Sequence, residues 1–149
     1  MSNCRRLELK LESVISTVDA AELCAKGLAR EGGFSEEQID RLGMAVREAV
    51  ANAVTHGNVY SADKRVHFSV EVNEDRLVVS VKDEGSGFDP SEVPDPTSVE
   101  NILKASGRGL LLMRSLVDEV ELRKLSPNGT EAVLTLLGPT GTEDRGKED

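Results

Sequence analysis

The segment SEEQIDRLGMAVREAVANAVTHGN, residues 35–58, carries the strongest periodic pattern in this 149-residue chain. Ser35 followed three residues later by Gln38 forms a capping-box pattern, which marks the start of a helix. The apolar residues that follow recur at helical spacing along one stripe, and Gly57 ends the pattern. The segment therefore predicts an amphipathic helix whose packing face comprises Ile39, Leu42, Val46, Ala49, Val50 and Ala53.

Strand-like segments lie on both sides of this helix. Residues 6–12 alternate apolar and charged side chains, and the runs 66–72 and 76–82 are joined by the turn-forming sequence Asn73-Glu74-Asp75. A second pair of strands, 118–124 and 130–137, is joined across Ser126-Pro127-Asn128-Gly129. Further helices are predicted from Val14 to about Arg30, before the Gly32-Gly33 pair, and over residues 107–116.

Helices segregated from paired strands predict the α+β class, with the helices packed on one face of a largely antiparallel sheet. We expect one domain over residues 5–137. The last residues, 138–149, are polar and rich in glycine, and we expect them to be disordered. Residues 88–106 contain three prolines among polar residues, and a connection of that length predicts a functional lid.

Composition limits the possible partners. The formal net charge of −9, with three Phe, one Tyr and no Trp, argues against direct binding to nucleic acid. No apolar run approaches the roughly 18 residues that would predict a membrane span. Two cysteines without metal-ligand spacing and an amino terminus unlike a signal peptide predict a cytoplasmic protein.

Glu48 and Asn52 are candidate functional residues on the central helix. They are four residues apart and therefore share a side, about 140° from the centre of the apolar stripe, so both are expected to face away from the packing side. A carboxylate can accept a proton and an amide oxygen can bind Mg²⁺. The alternative is an exposed helical pair with no function.

Asp83 follows a strand and has the parity of its apolar residues, so its carboxylate should be partly buried. A buried carboxylate needs a hydrogen-bond donor, and the amino group of adenine is one candidate. The alternative is a turn residue that caps Gly85. Gly85 and Gly87 would let the backbone approach a planar base.

A second glycine pair, Gly107 and Gly109, precedes the last predicted helix, whose N-terminus could receive phosphate. Arg108 lies between these glycines. Its guanidinium could contact a γ-phosphate or could be solvated.

Together the segments EAVANAVTHGN (48–58), DEGSGFDP (83–90) and SGRGLLLM (106–113) resemble, in this order, the N, G1 and G2 boxes of the GHKL superfamily. The short length, the early strand and helix and the HGN ending resemble the anti-sigma-factor serine/threonine kinases. The resemblance spans residues 5–137 and implies a Bergerat-type two-layer sandwich on a mixed sheet.

The resemblance also implies roles for particular residues. Glu48 matches the family's general base, Asn52 its Mg²⁺ ligand and Asp83 the acceptor of the adenine amino group. The base-side and lid glycines are matched by Gly85, Gly87, Gly107 and Gly109.

The resemblance further implies a homodimer that uses ATP and Mg²⁺, binds a sigma factor and phosphorylates a serine or threonine of a STAS-type anti-anti-sigma protein. The alternative function is a nucleotide-gated module that binds its partner with little or no phosphotransfer.

Overall fold

A computed structural model of the chain describes residues 4–85 and 109–138. Their regular elements, in chain order, are β1 (Arg5–Glu12), α1 (Thr17–Glu31), α2 (Glu36–Asn52), β2 (Arg65–Val72), β3 (Arg76–Lys82), α3 (Gly109–Leu116), β4 (Glu119–Lys124) and β5 (Thr130–Leu137). A single π-helical turn, Ala53–Gly57, continues α2. Every predicted helix and strand is therefore present, with boundaries that differ by a few residues.

The strands form one sheet in the order β1-β2-β3-β5-β4. Every strand pair in the described residues is antiparallel, so the α+β class and the antiparallel pairing are confirmed, whereas no parallel pair of the expected mixed sheet occurs there. Both predicted hairpins form. In the first, Asn73 Oδ1 accepts hydrogen bonds from the N–H groups of Asp75 and Arg76, which fixes the turn.

The core lies between the sheet and the helices. Alternate residues of β2 and β3 are buried, as the period of two requires, and α2 packs against α1, α3 and the sheet. Ser35 accepts a hydrogen bond from the Gln38 N–H, and the Gln38 side chain accepts one from the Ser35 N–H, so the capping box is confirmed. The largest fully buried side chains include Phe68, Ile39, Leu42, Leu77, Met113 and Leu134.

The first helix begins later than the sequence indicates. Residues 14–16 form a turn, in which the N–H of Thr17 bonds to the carbonyl of Val14, and Val14 and Ile15 are exposed. Their apolar character suggested helical periodicity, but their side chains do not join the core. The predicted lid, residues 88–106, lies outside the described part of the chain, and so does all of the predicted tail after Gly138.

Among the described residues, no helix combines the length and apolar character needed to cross a bilayer.

Candidate functional site

Asp83 lies one residue beyond β3 and is 8% exposed, which confirms the burial predicted from its parity. Its Oδ1 atom accepts hydrogen bonds from the backbone N–H groups of Gly85, at 3.0 Å, and Thr130, at 3.1 Å. The turn-capping alternative is thus partly correct, because Oδ1 does cap Gly85. The other oxygen, Oδ2, makes no hydrogen bond with the described residues and remains available as an acceptor.

Burial raises the pKa of the Asp83 carboxyl above the ordinary value of 3.8. The hydrogen bonds from the Gly85 and Thr130 N–H groups, and the charge of Lys64, oppose that rise. A carboxylate in this environment is incompletely solvated. A new hydrogen-bond donor therefore stabilises this carboxylate more than it would stabilise an exposed one.

Two glycines allow the backbone to approach this carboxylate. A Cβ atom at Gly57 would lie 2.2 Å from Asp83 Oδ2, and one at Gly85 would lie 2.0 Å from the carbonyl oxygen of Gly57. Neither position has room for a side chain. The end of α2 and the Asp83–Gly85 turn are therefore packed backbone to backbone, with the carboxylate between them.

The start of β5 supports Asp83 from the other side. The Asp83 N–H donates to the Thr130 carbonyl oxygen at 3.0 Å, and a Cβ at Gly129 would lie 2.4 Å from the Asp83 carbonyl oxygen. Gly129 also has φ +106°, a conformation that L-residues with side chains rarely adopt. The hairpin turn that the sequence identified only as a connection therefore also positions Asp83.

Glu48 lies on α2, one turn before Asn52, and is half-buried. Its side chain forms no ion pair or hydrogen bond within residues 4–85 and 109–138. By contrast Arg47, its neighbour, bonds both Asp19 and Glu22 of α1 at 2.7 Å. The Glu48 carboxylate is thus half-exposed and pairs with no cation of the described residues, which is compatible with a proton acceptor.

Asn52 is only 7% exposed, so the expectation that it faces away from the packing side of α2 was wrong. The helical period gave its angle from the apolar stripe correctly. However, α3 packs against α2 in addition to the sheet and α1, so more than one side of α2 is covered. The Asn52 Nδ2 atom is buried and has no hydrogen-bond partner among the described residues.

An unsatisfied buried amide nitrogen is unusual in a folded protein. Here it means that the Asn52 amide is not committed to the internal structure of the described chain. The unpartnered Asn52 amide, together with the close backbone packing at Gly57 and Gly85, is compatible with a polar ligand near the C-terminal end of α2.

The second glycine pair is only partly described. Gly109 is buried and is the first residue of α3. Gly87, Gly107 and Arg108 lie outside the described residues, and their predicted roles stay predictions.

Three residues of the site were missed as functional candidates: Gly57, Asn58 and Thr130. Gly57 was interpreted as a helix stop, Gly57 and Asn58 as part of the HGN ending that resembles the family, and Thr130 only as the start of a strand. The HGN sequence at the end of the π-helical turn was the available signal, since an Asn that follows a Gly at a helix end can bind backbone groups of an adjacent loop.

Comparison with known proteins gives one family and several relatives. Residues 11–136 match the family described as the histidine kinase-like ATPase domain. The serine-protein kinase RsbW of Bacillus subtilis is 35% identical over 133 residues, covering 84% of this chain and 82% of that protein. The serine-protein kinase RsbW of Oceanobacillus iheyensis is 32% identical, covering 82% of this chain and 81% of its own.

A solved structure has the same fold. It contains the RsbU and RsbW domains of Rv1364c from Mycobacterium tuberculosis and superposes with a TM-score of 0.65 at 22% identity. The match covers 89% of this chain and 32% of that longer chain. At this identity the likeness supports the two-layer fold and nothing finer.

Proposed function

The chain belongs to the histidine kinase-like ATPase domain family, and from that premise we propose that it is an ATP-dependent serine/threonine protein kinase that also acts as an anti-sigma factor. Its substrate is a STAS-type anti-anti-sigma protein, and its inhibited partner is a sigma factor. The relatives at 32% and 35% identity are named serine-protein kinases, which supports the choice of a hydroxyl-bearing protein substrate.

The observation that carries the proposal is the unequal hydrogen bonding of the two carboxylate oxygens of Asp83. One carboxylate oxygen accepts from the Gly85 and Thr130 N–H groups, while the other lies beside Gly57 and has no hydrogen-bond partner among the described residues. A base with an exocyclic amino group supplies the missing donor, and the absence of side chains at Gly57 and Gly85 lets the end of the π-helical turn and the Asp83–Gly85 turn pack closely enough to hold the carboxylate in place.

The residues of α2 fit the phosphate end of the same ligand. Asn52 would hold Mg²⁺ through its amide oxygen, and Gly109, at the start of α3, would contribute to phosphate binding through its N–H group. When bound, Mg-ATP supplies the phosphoryl group and a divalent charge that neutralises the phosphate oxygens.

Glu48 performs the proton transfer in this proposal. It accepts the proton of the substrate serine or threonine hydroxyl, which makes the oxygen a better nucleophile. Its half-buried position and its freedom from described ion pairs leave it able to contact a second protein. We further propose a cytoplasmic homodimer with no direct contact to nucleic acid or membrane.

Incubation of the full chain with γ-labelled Mg-ATP and a candidate anti-anti-sigma protein tests the proposal. We expect label on one serine or threonine of the candidate, identified by mass spectrometry, and no label with Glu48→Gln. Tight nucleotide-dependent binding of that candidate without label would instead support the nucleotide-gated binding module. A folded protein that bound no nucleotide would contradict both.

A further inference from the structure

Asn58 joins three separate segments of the chain through one side chain. It is 1% exposed, the most buried amide side chain in the described residues. Its Nδ2 donates to Ser13 Oγ at 2.8 Å and to the Arg65 carbonyl oxygen at 3.0 Å, while its Oδ1 accepts from the Glu84 N–H at 2.7 Å. Both donors and the acceptor of the amide are therefore in use.

The bond to Glu84 is the one that concerns the nucleotide site. Glu84 lies between Asp83 and Gly85, so this bond attaches the centre of the Asp83–Gly85 turn to the end of α2. Among the described side chains, Asn58 is the one that bonds from the α2 end to the backbone of this turn. Together with the Thr130 bonds, it therefore helps to fix the separation between Gly57 and the turn, and with it the position of Asp83 Oδ2.

The bonds to Ser13 and Arg65 fix the amide itself. Ser13 is 2% exposed and donates its hydroxyl proton to the Lys64 carbonyl oxygen at 2.6 Å, so its oxygen faces Asn58 as an acceptor. With both Nδ2 protons engaged, the amide cannot rotate to exchange its oxygen and nitrogen. Oδ1 is thereby kept toward the Glu84 N–H.

We propose that Asn58 is a positioning residue for base recognition: it orients the Asp83 carboxylate so that the site distinguishes a purine carrying a 6-amino group from one carrying a 6-oxo group. The inference rests on the proposed function, because it requires Asp83 to accept a hydrogen bond from adenine. Asn58 does not contact the base itself. Its effect passes through the Glu84 N–H and the turn.

A merely structural role predicts a different result. If Asn58 only stabilised the fold, its loss would weaken binding of every nucleotide by the same factor. A positioning role acts on the contact between Asp83 and the 6-substituent, so the loss should appear in the ratio of affinities for ATP and inosine triphosphate, whose 6-oxo group offers Asp83 no donor.

Calorimetric titration of Mg-ATP and Mg-inosine triphosphate into the full chain measures this ratio. For wild type we expect a clear preference for ATP. We expect the preference to fall about tenfold in Asn58→Ala, the change for one lost hydrogen bond, and about threefold in Ser13→Ala, in which the amide keeps two of its bonds.

Asn73→Ala is the matched control. Asn73 also holds a turn through its side-chain oxygen, but in the β2–β3 hairpin at the opposite end of β3 from Asp83. Its loss should destabilise the fold and leave the preference unchanged. The side chain of Glu84 contacts His67 separately, so the turn keeps a second attachment in the Asn58 variant.

The outcomes distinguish a failure of the Asn58 positioning role from a failure of the proposed role of Asp83 in binding adenine. If folded Asn58→Ala loses affinity for both nucleotides by the same factor, while the wild-type protein prefers ATP, the positioning role of Asn58 is wrong. The proposed role of Asp83 then stands. If Asn58→Ala does not fold, as judged by circular dichroism, an unchanged preference in Ser13→Ala overturns it. A wild-type protein that shows no preference for ATP overturns both the role of Asp83 and this inference.

Discussion

The backbone of Gly57 lies against the carboxylate of Asp83, 26 residues further along the chain, so closely that a Cβ atom at Gly57 would stand 2.2 Å from Oδ2. This contact joins the end of α2 to the end of β3. It places the candidate base-recognition carboxylate next to the π-helical turn that continues the helix carrying Glu48 and Asn52.

Gly57→Ala should reduce ATP affinity at least tenfold, because either the carboxylate or the backbone must move away from a contact that no pair of atoms tolerates. Gly27→Ala, in α1, is the control: nothing lies within 4 Å of its Cβ, and alanine there should stabilise the helix by up to about 1 kcal/mol. Calorimetry and thermal unfolding measure the two effects. Wild-type ATP affinity in Gly57→Ala would show that the contact has no part in binding.

Asp83→Asn should weaken ATP binding by about 2–4 kcal/mol, since an amide facing the ligand presents a poorer acceptor or a competing donor. The fold should survive, because the amide oxygen can still accept from the Gly85 and Thr130 N–H groups. Titration calorimetry on the folded variant is the measurement. Unchanged affinity would remove Asp83 from the site.

The stability of the fold and the affinity for ATP should both change with pH as Asp83 titrates. Its pKa is raised in the folded state, chiefly by burial, so the folded chain binds this proton more tightly than the unfolded chain. As pH falls through the folded pKa of Asp83, protonation therefore stabilises the fold relative to Asp83→Asn, and the gain is complete below the unfolded pKa. Over the same range ATP affinity should fall, because a protonated carboxyl is a weaker acceptor.

Denaturant unfolding and ATP titration of wild type and Asp83→Asn at a series of pH values measure both trends. Parallel pH profiles of stability for the two proteins would contradict the assignment.

Glu48→Gln should lower the rate of phosphotransfer by about 10²- to 10⁴-fold and leave Mg-ATP affinity within a few-fold, since the amide keeps the shape of the side chain but cannot accept a proton. Glu37→Gln on the same helix is the control. Glu37 is exposed and contacts Arg41, so its loss should leave the rate unchanged. Phosphorylation of the substrate at the wild-type rate by Glu48→Gln would assign the base elsewhere.

Asn52→Leu should separate stability from binding. Leucine has a similar volume and removes a buried amide nitrogen that has no described partner, so the nucleotide-free protein should be as stable as wild type or more stable. Mg-ATP affinity should fall at least tenfold, because leucine lacks the amide oxygen that we propose as the Mg²⁺ ligand. A strongly destabilised variant with normal affinity would indicate that Asn52 is a structural residue.

The positions of the α-helices and strands follow from the amino-acid sequence, because periods of 3.6 and 2 show which residues of a helix or strand face the core. The sequence also determined that Asp83 is buried, since strand parity continues one residue past Lys82. Three glycine-containing segments in a fixed order, residues 48–58, 83–90 and 106–113, were enough to indicate the family.

Only the tertiary structure decided what lies beside each of these residues. Periodicity describes one element at a time, so it placed Asn52 away from the apolar stripe but could not show that α3 encloses α2 on a further side. Thr130 is 47 residues from Asp83, and their bonds exist because β5 pairs with β3. The same holds for Asn58, whose partners Ser13, Arg65 and Glu84 lie in three separate segments that meet in the folded chain. Hydrogen bonds between distant segments depend on how the elements pack, and no local sequence pattern encodes them.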